Sequence, residues 1–197
     1  VAKMKVWETK STKIQVPNLD NRTFTFNHKV NQGAKKGLSL MANVTHLTDA
    51  FMVQELGARC NYTPEVLLRG KEIIEEYIGQ DVVITDRTKI PSLDVLPLLD
   101  DVTVTEYSFN YLAQLLELIE RSLEYKPFPV LMNHDSFKCH ANNVEQMRKH
   151  FNYILWDLYN STWLSDMHYQ LTGKTLPIYP HSEDIANLIL ENEYHLN

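Results

Sequence analysis

The chain reads as an α+β protein, a small antiparallel sheet backed by helices. Three observations predict this class. Short alternating strands lie near the N-terminus, three stretches carry helical period, and an apolar strand–turn–strand sits between the second and third of those.

Residues 3–31 read as β. Val6 and Trp7 belong to a short strand that continues toward Ile14 and Val16, and Pro17-Asn-Leu-Asp-Asn21 is turn chemistry. Thr23-Phe-Thr-Phe26 then alternates as the returning strand. Gln32, Gly33 and Gly37 mark a loop carrying Lys35 and Lys36. With Lys29 these form either a modest basic cluster or an ordinary solvated face.

The spacing predicts a helix over 39–56, because Leu40, Val44, Leu47 and Phe51 fall on one apolar face. Asn43 and His46 are three apart on a neighbouring face, so their side chains are presented together, for function or for bonding within the core. Thr63-Pro64-Glu65 starts a second helix, which runs to Tyr77 and stops at Gly79. Residues 81–85 read as a brief strand or extended piece, and 90–101 hold two prolines and turn residues. This middle section reads as decoration on the main body rather than as a second core. From 107 to 123, apolar residues at 112, 115, 116, 119 and 123 mark an amphipathic helix.

Lys126-Pro-Phe-Pro129 ends that helix and feeds the stretch where the chemistry gathers. Residues 130–133 read as a strand, His134-Asp135-Ser136 as a tight turn, and 137–140 as a second strand. Val130 and Met132 point one way and Leu131 the other, so the first strand is expected to be buried on both faces. An acid at such a turn is held by the flanking strands, which suits a Mg²⁺ ligand in nucleotidyl transfer; the plainer alternative is a turn-forming Asp or Ser. Asn142 or Asn143 then caps a helix to about 159, with Val144, Met147, Phe151, Ile154 and Leu158 inward and Arg148 and Lys149 on a solvated face. A short helix over 165–171 ends at Gly173 and Pro177, and a last helix covers 183–192.

At 197 residues one domain is the first expectation, 1–197. The net charge of −6 and pI near 5.7 argue against a grip on nucleic-acid phosphates, unless basic surface is local or a partner chain supplies the contacts. Cys60 and Cys139 make no disulfide framework and fit a reducing compartment. His134, Cys139, His140 and His150 match no paired zinc-ligand spacing. No apolar run reaches the ~18 residues of a membrane span, and Val-Ala-Lys-Met-Lys does not begin a signal peptide. The lack of an initiator Met implies processing, or a piece of a longer chain.

Val-Leu-Met-Asn-His134-Asp135-Ser136-Phe137 resembles the third palm motif of the single-subunit, phage and mitochondrial type RNA polymerases. Ala42-Asn43-Val-Thr-His46-Leu-Thr-Asp49 resembles the Asn-x-x-His-x-x-Asp stretch on the palm helix that precedes it. The end of the chain, Glu183-Asp184-Ile-Ala-Asn-Leu-Ile-Leu-Glu191 followed by Asn-Glu-Tyr-His-Leu-Asn197, resembles the family's acidic and aliphatic helix with an aromatic tail. The related family-A DNA polymerases carry Glu where Ser136 stands. The resemblance covers about 1–57 and 107–197, and makes 58–106 an insertion.

The resemblance implies a polymerase palm, a small antiparallel sheet with a catalytic β-hairpin backed by helices. It implies that Asp135 is the metal ligand for Mg²⁺, with His134 catalytic beside it. Asn43, His46, Lys35, Lys36 and Ser136 are then nucleic-acid-binding residues. Arg69-Gly-Lys71 with Tyr77-Ile-Gly79 has the wrong spacing and the wrong order for the family's nucleotide-binding fingers helix. The expected partners are therefore a second polymerase subunit bearing the other palm Asp and the fingers helix, a DNA template, the RNA product and nucleoside triphosphates, with no membrane. Such a chain belongs in the cytoplasm, that of a bacterial host if phage-encoded, or in mitochondria. The alternatives are the palm portion of a family-A-like DNA polymerase and a non-catalytic accessory protein with a polymerase-like palm.

Overall fold

A computed structural model describes residues 7–17, 22–31, 38–79, 82–133, 136–176 and 182–192, without the side chains of residues 7, 8, 31 and 38–41. It is a mixed α and β protein, with two separate two-stranded antiparallel sheets and six α-helices among the described residues. It divides into two compact units, residues 1–50 and 51–197.

In the first unit, β1 (Trp7–Val16) pairs with β2 (Arg22–Asn31) in unbroken register from Trp7↔Asn31 to Val16↔Arg22. Directly opposed residues share a face, so the register sorts the side chains. Ile14, Phe24, Phe26 and His28 fall on one face; Ser11, Lys13, Thr25 and Asn27 fall on the other, where Ser11 Oγ donates to Asn27 Oδ1 at 2.7 Å. Phe24 and Phe26 are half exposed, and the Phe26 and His28 rings stack at 5.6 Å. The expected hairpin is present and longer than the Thr23–Phe26 alternation alone indicates. Its turn beyond Pro17 lies outside the described residues, as do Gly33, Lys35 and Lys36.

Helix α1 (Leu38–Cys60) runs four residues past its expected end. Val44, Leu47 and Phe51 are half-buried, as the apolar spacing requires; the side chain of Leu40 lies outside the description. The extra turn exists because Arg59, unreadable as core from sequence, is fully buried and paired.

The second unit holds two apolar cores. One gathers Tyr62, Leu67 and Ile74 of the α2 region (helix Pro64–Ile78), Leu93, Leu96, Leu99 and Val104, and Leu112, Leu115, Leu118 and Ile119 of α3 (Phe109–Leu123). The middle section therefore builds a core with α3, which corrects the expectation of mere decoration. Its apolar residues are clustered too densely on α2 and the two 3-10 turns, Leu93–Leu98 and Thr103–Glu106, to be left in water. Over 81–85, read as a brief strand or an extended piece, no strand forms among the described residues. Asp81 lies outside the described residues, and 82–88 run without strand pairing. Their backbone is held by side chains instead: Asn110 Oδ1 accepts from the Thr85 N–H at 2.8 Å, and Gln114 Nε2 donates to the Asp86 carbonyl at 3.0 Å.

The second core joins Leu56 and Cys60 of α1 to Phe128 and to Met147 and Ile154 of α4 (Val144–Asn160). Asn143, one of the two expected caps, is the N-cap residue of α4, but its side chain makes no capping hydrogen bond. A 3-10 turn (Ala141–Asn143) precedes the helix, and His140 Nδ1 accepts from the Asn142 N–H at 3.4 Å. Nor are Arg148 and Lys149 a purely solvated face. Arg148 is half-buried, and Lys149 Nζ lies over the Tyr125 ring, 5.8 Å from its centre. Helix α5 (Trp163–Thr172) stops at Gly173, whose φ of 69° is the left-handed conformation glycine adopts without strain. Helix α6 (Glu183–Glu191) packs on α4, where Asn152 Nδ2 donates to the Asn192 carbonyl at 2.8 Å. The tail after Asn192 and the linker at Pro177 lie outside the described residues. No described helix is long and apolar enough to cross a membrane.

Candidate functional site

The site is built on a second hairpin, β3 (Leu131–Asn133) with β4 (Ser136–Lys138), paired as Leu131↔Lys138, Met132↔Phe137 and Asn133↔Ser136. Three contacts fix its seat. The Phe128 N–H donates to the Cys60 carbonyl at 2.8 Å, tying the incoming chain to the end of α1. Val130, Phe137 and Cys139 pack against the second core, and the Phe137 and Phe151 rings lie 6.1 Å apart. Met132 reaches over Gly57, where a Cβ would sit 2.9 Å from the Met132 methyl. A larger residue at 57 would hold the strand off the helix.

The opposite face carries Leu131, Asn133, Ser136 and Lys138, all exposed. This corrects the expectation that the first strand is buried on both faces: Leu131 is 73% exposed. The sheet has two strands and helices on one side, so nothing among the described residues covers the other. The apolar run was read as interior because it is interior on one side only.

His134 and Asp135 stand in the sequence between the last strand pair and lie outside the described residues. Ser136 is the first residue of β4. Asn43 and His46 are exposed on α1 within the first unit, three residues apart and so side by side. Asn133 and Ser136 carry side-chain oxygens on the exposed face of the hairpin, the donor type Mg²⁺ takes. Among the described residues there is no group of three or more His, Cys, Asp or Glu that could hold a metal ion. Cys60 and Cys139 are free thiols. Burial pushes Cys60 up to about 12, with Cys139 beside it adding to the rise, and burial raises Cys139 as well.

Behind the hairpin lies a buried ionic cluster that the sequence did not reveal. Arg59 Nε donates to Glu55 at 3.2 Å, and Arg59 Nη2 donates to Asp157 at 2.9 Å and to the Pro91 carbonyl at 3.3 Å. His150 is buried on the same face of α4, beside Gln146 and edge-on to Tyr125, and Arg121 lies over the Tyr153 ring at 4.1 Å. Burial, helped by the Arg59 and Arg121 charges, lowers His150 to about 4, so it is neutral at physiological pH. The one available signal was the four-residue spacing of Glu55 and Arg59.

Charge is divided unequally. Residues 1–50 hold eight Lys and Arg against three Asp and Glu, a net +5, while 51–197 hold eleven against twenty-two, a net −11. The acidic total therefore conceals a basic unit. Compared with known proteins, the chain matches no family model and no curated protein.

Proposed function

We propose that the chain is a subunit, or the C-terminal portion, of a DNA-directed RNA polymerase of the single-subunit type, with a catalytic palm completed by a second chain. The observation that carries the reading is the β3–β4 hairpin. Two paired strands flank His134-Asp135, one face is anchored on helices, and the other is open. The exposed Asn43 and His46 and the +5 charge of residues 1–50 support a nucleic-acid role for the first unit.

In this reading the RNA 3′-hydroxyl attacks the α-phosphate of a nucleoside triphosphate, and pyrophosphate leaves. Mg²⁺, when bound, supplies charge stabilisation at the attacking and leaving oxygens. Asp135 holds that ion, and the second carboxylate belongs to the partner chain. His134 and His46 hold the primer end or neighbouring backbone, while Asn43, Ser136, Lys35 and Lys36 contact nucleic acid. The residue at 136 is Ser rather than Glu, which favours RNA over DNA as product. The test is reconstitution: this chain, a co-purifying partner, primed template, Mg²⁺ and labelled nucleotides. Extension with ribonucleotides that needs both chains supports the reading, and a partner lacking an acid-bearing palm motif counts against it.

A further inference from the structure

Residues 90–106 belong to no part of the chemistry proposed above, yet they present apolar surface on a rigid support. Leu93, Leu96, Leu99 and Val104 are buried, which pins the segment to the core at four points. The Asp100 carboxylate accepts from the N–H groups of Val102 at 3.0 Å and Thr103 at 2.7 Å, and the Thr103 hydroxyl accepts the Asp100 N–H at 2.8 Å. Arg69 Nη2 reaches across from α2 to the Leu99 carbonyl at 2.9 Å. On this braced knuckle Leu98 is 76% exposed and Val102 73%, on either side of the Asp100 turn. Leu68, next to Arg69 on α2, is half exposed.

The rim is mainly acidic, with the Arg69 guanidinium engaged at the Leu99 carbonyl as a cation beside it. No Lys or Arg occurs between Lys89 and Arg121. Asp94, Asp101 and Glu106 are exposed, and none forms an ion pair among the described residues. Two exposed aliphatic side chains on a braced turn, in a segment with three exposed and unpaired carboxylates, disfavour nucleic acid and favour a cationic apolar ligand. Because the turn is already ordered, docking there loses little conformational entropy.

We propose that the Leu98–Val102 knuckle is a docking surface for a basic, amphipathic segment of another polypeptide, one that covers the two aliphatics and sets Lys or Arg against Asp94, Asp101 and Glu106. This stands apart from the polymerase reading and survives or fails without it.

The test uses the full chain and fluorescent probes read by anisotropy: a synthetic peptide of about four helical turns with Lys on one face and Leu on the other, a scramble of the same composition, and a single-stranded DNA. The amphipathic peptide should bind better than the scramble. Leu98→Ser with Val102→Ser should weaken it by about tenfold or more through lost apolar burial. Asp94→Asn, Asp101→Asn and Glu106→Gln together should remove most of its salt dependence. Unchanged thermal unfolding of both variants checks that only the surface was altered. Equal binding of the scramble, loss of DNA binding on the Leu98 and Val102 substitutions, or indifference of peptide binding to either set of substitutions overturns the proposal. Self-association seen in sedimentation and lost in the Leu98–Val102 variant would assign the surface to a second copy, and so would also overturn it.

Discussion

Arg59 donates from Nη2 to the Asp157 carboxylate at 2.9 Å, with 0% of one side chain and 4% of the other exposed to solvent. The pair joins the last turn of α1 to α4, the two helices on which the β3–β4 hairpin rests. Removing Arg59 leaves Asp157 and Glu55 facing each other without a cation in a dry site. Arg59→Leu should therefore cost about 3–5 kcal/mol, the penalty of stranding a buried charge. The shift in urea midpoint, at constant slope, measures it.

Two neighbours of Arg59 should make stability pH-dependent in opposite senses. His150 is lowered to about 4, so its contribution is full above its ordinary 6.5 and is lost as pH falls through about 4. That contribution is on the order of 3 kcal/mol. Glu55 is raised, by burial against the opposing Arg59 charge and its hydrogen bonds with Ser92 and Arg59. Its contribution is therefore full below about 4.5 and is lost as pH rises through its elevated value. His150→Gln should flatten the acid limb of a stability–pH curve between about 6.5 and 4, while Glu55→Gln should raise stability at neutral pH. Denaturant titrations across that range separate the two.

At Gly57 the outcome should depend on side-chain size. Alanine places a Cβ 2.9 Å from the flexible end of Met132, which can turn aside, and it favours the helix. Its net effect on stability should stay within about 1 kcal/mol. Gly57→Phe must push Met132 away and displace β3 with it. Loss of about a hundredfold in nucleotide addition, with the fold retained by circular dichroism, is the expected signature of a misplaced hairpin.

On β2, Phe24 and Phe26 are two residues apart on one face, and Lys10 is opposite His28 on the same side. Rings beside cations favour stacked bases. Phe24→Ala with Phe26→Ala should lower affinity for single-stranded DNA by about tenfold or more, judged by stacking worth about 1–3 kcal/mol per base. An anisotropy titration at fixed salt checks it, and an unchanged affinity would remove this face from the nucleic-acid surface.

What could be read from the sequence was what is written in local spacing. The periods of α3 and α4 gave their inward residues, Leu112, Leu115, Ile119, Met147 and Ile154, because a single buried stripe repeats every turn. Pro64 and Gly79 bounded α2 for equally local reasons. The failures needed partners far along the chain. Arg59 becomes core only through Asp157, ninety-eight residues away, and 82–88 hold their shape only through Asn110 and Gln114. Leu131 was placed inside because an apolar run cannot tell a strand covered on two faces from one covered on a single face. Within the candidate site, the strands flanking His134-Asp135 were legible from alternation, whereas the buried cluster behind them was not.

The most direct test of the polymerase reading is nucleotide addition by Asp135→Asn in complex with the partner chain. The amide is nearly isosteric and a poor Mg²⁺ ligand, so folding and assembly should persist while extension of a primed template falls on the order of 10³-fold or more. Melting temperature and co-elution with the partner establish that the variant is intact. Near-normal extension by an intact Asp135→Asn complex would contradict the assignment of Asp135 as the metal ligand and, with it, the proposed role of this hairpin.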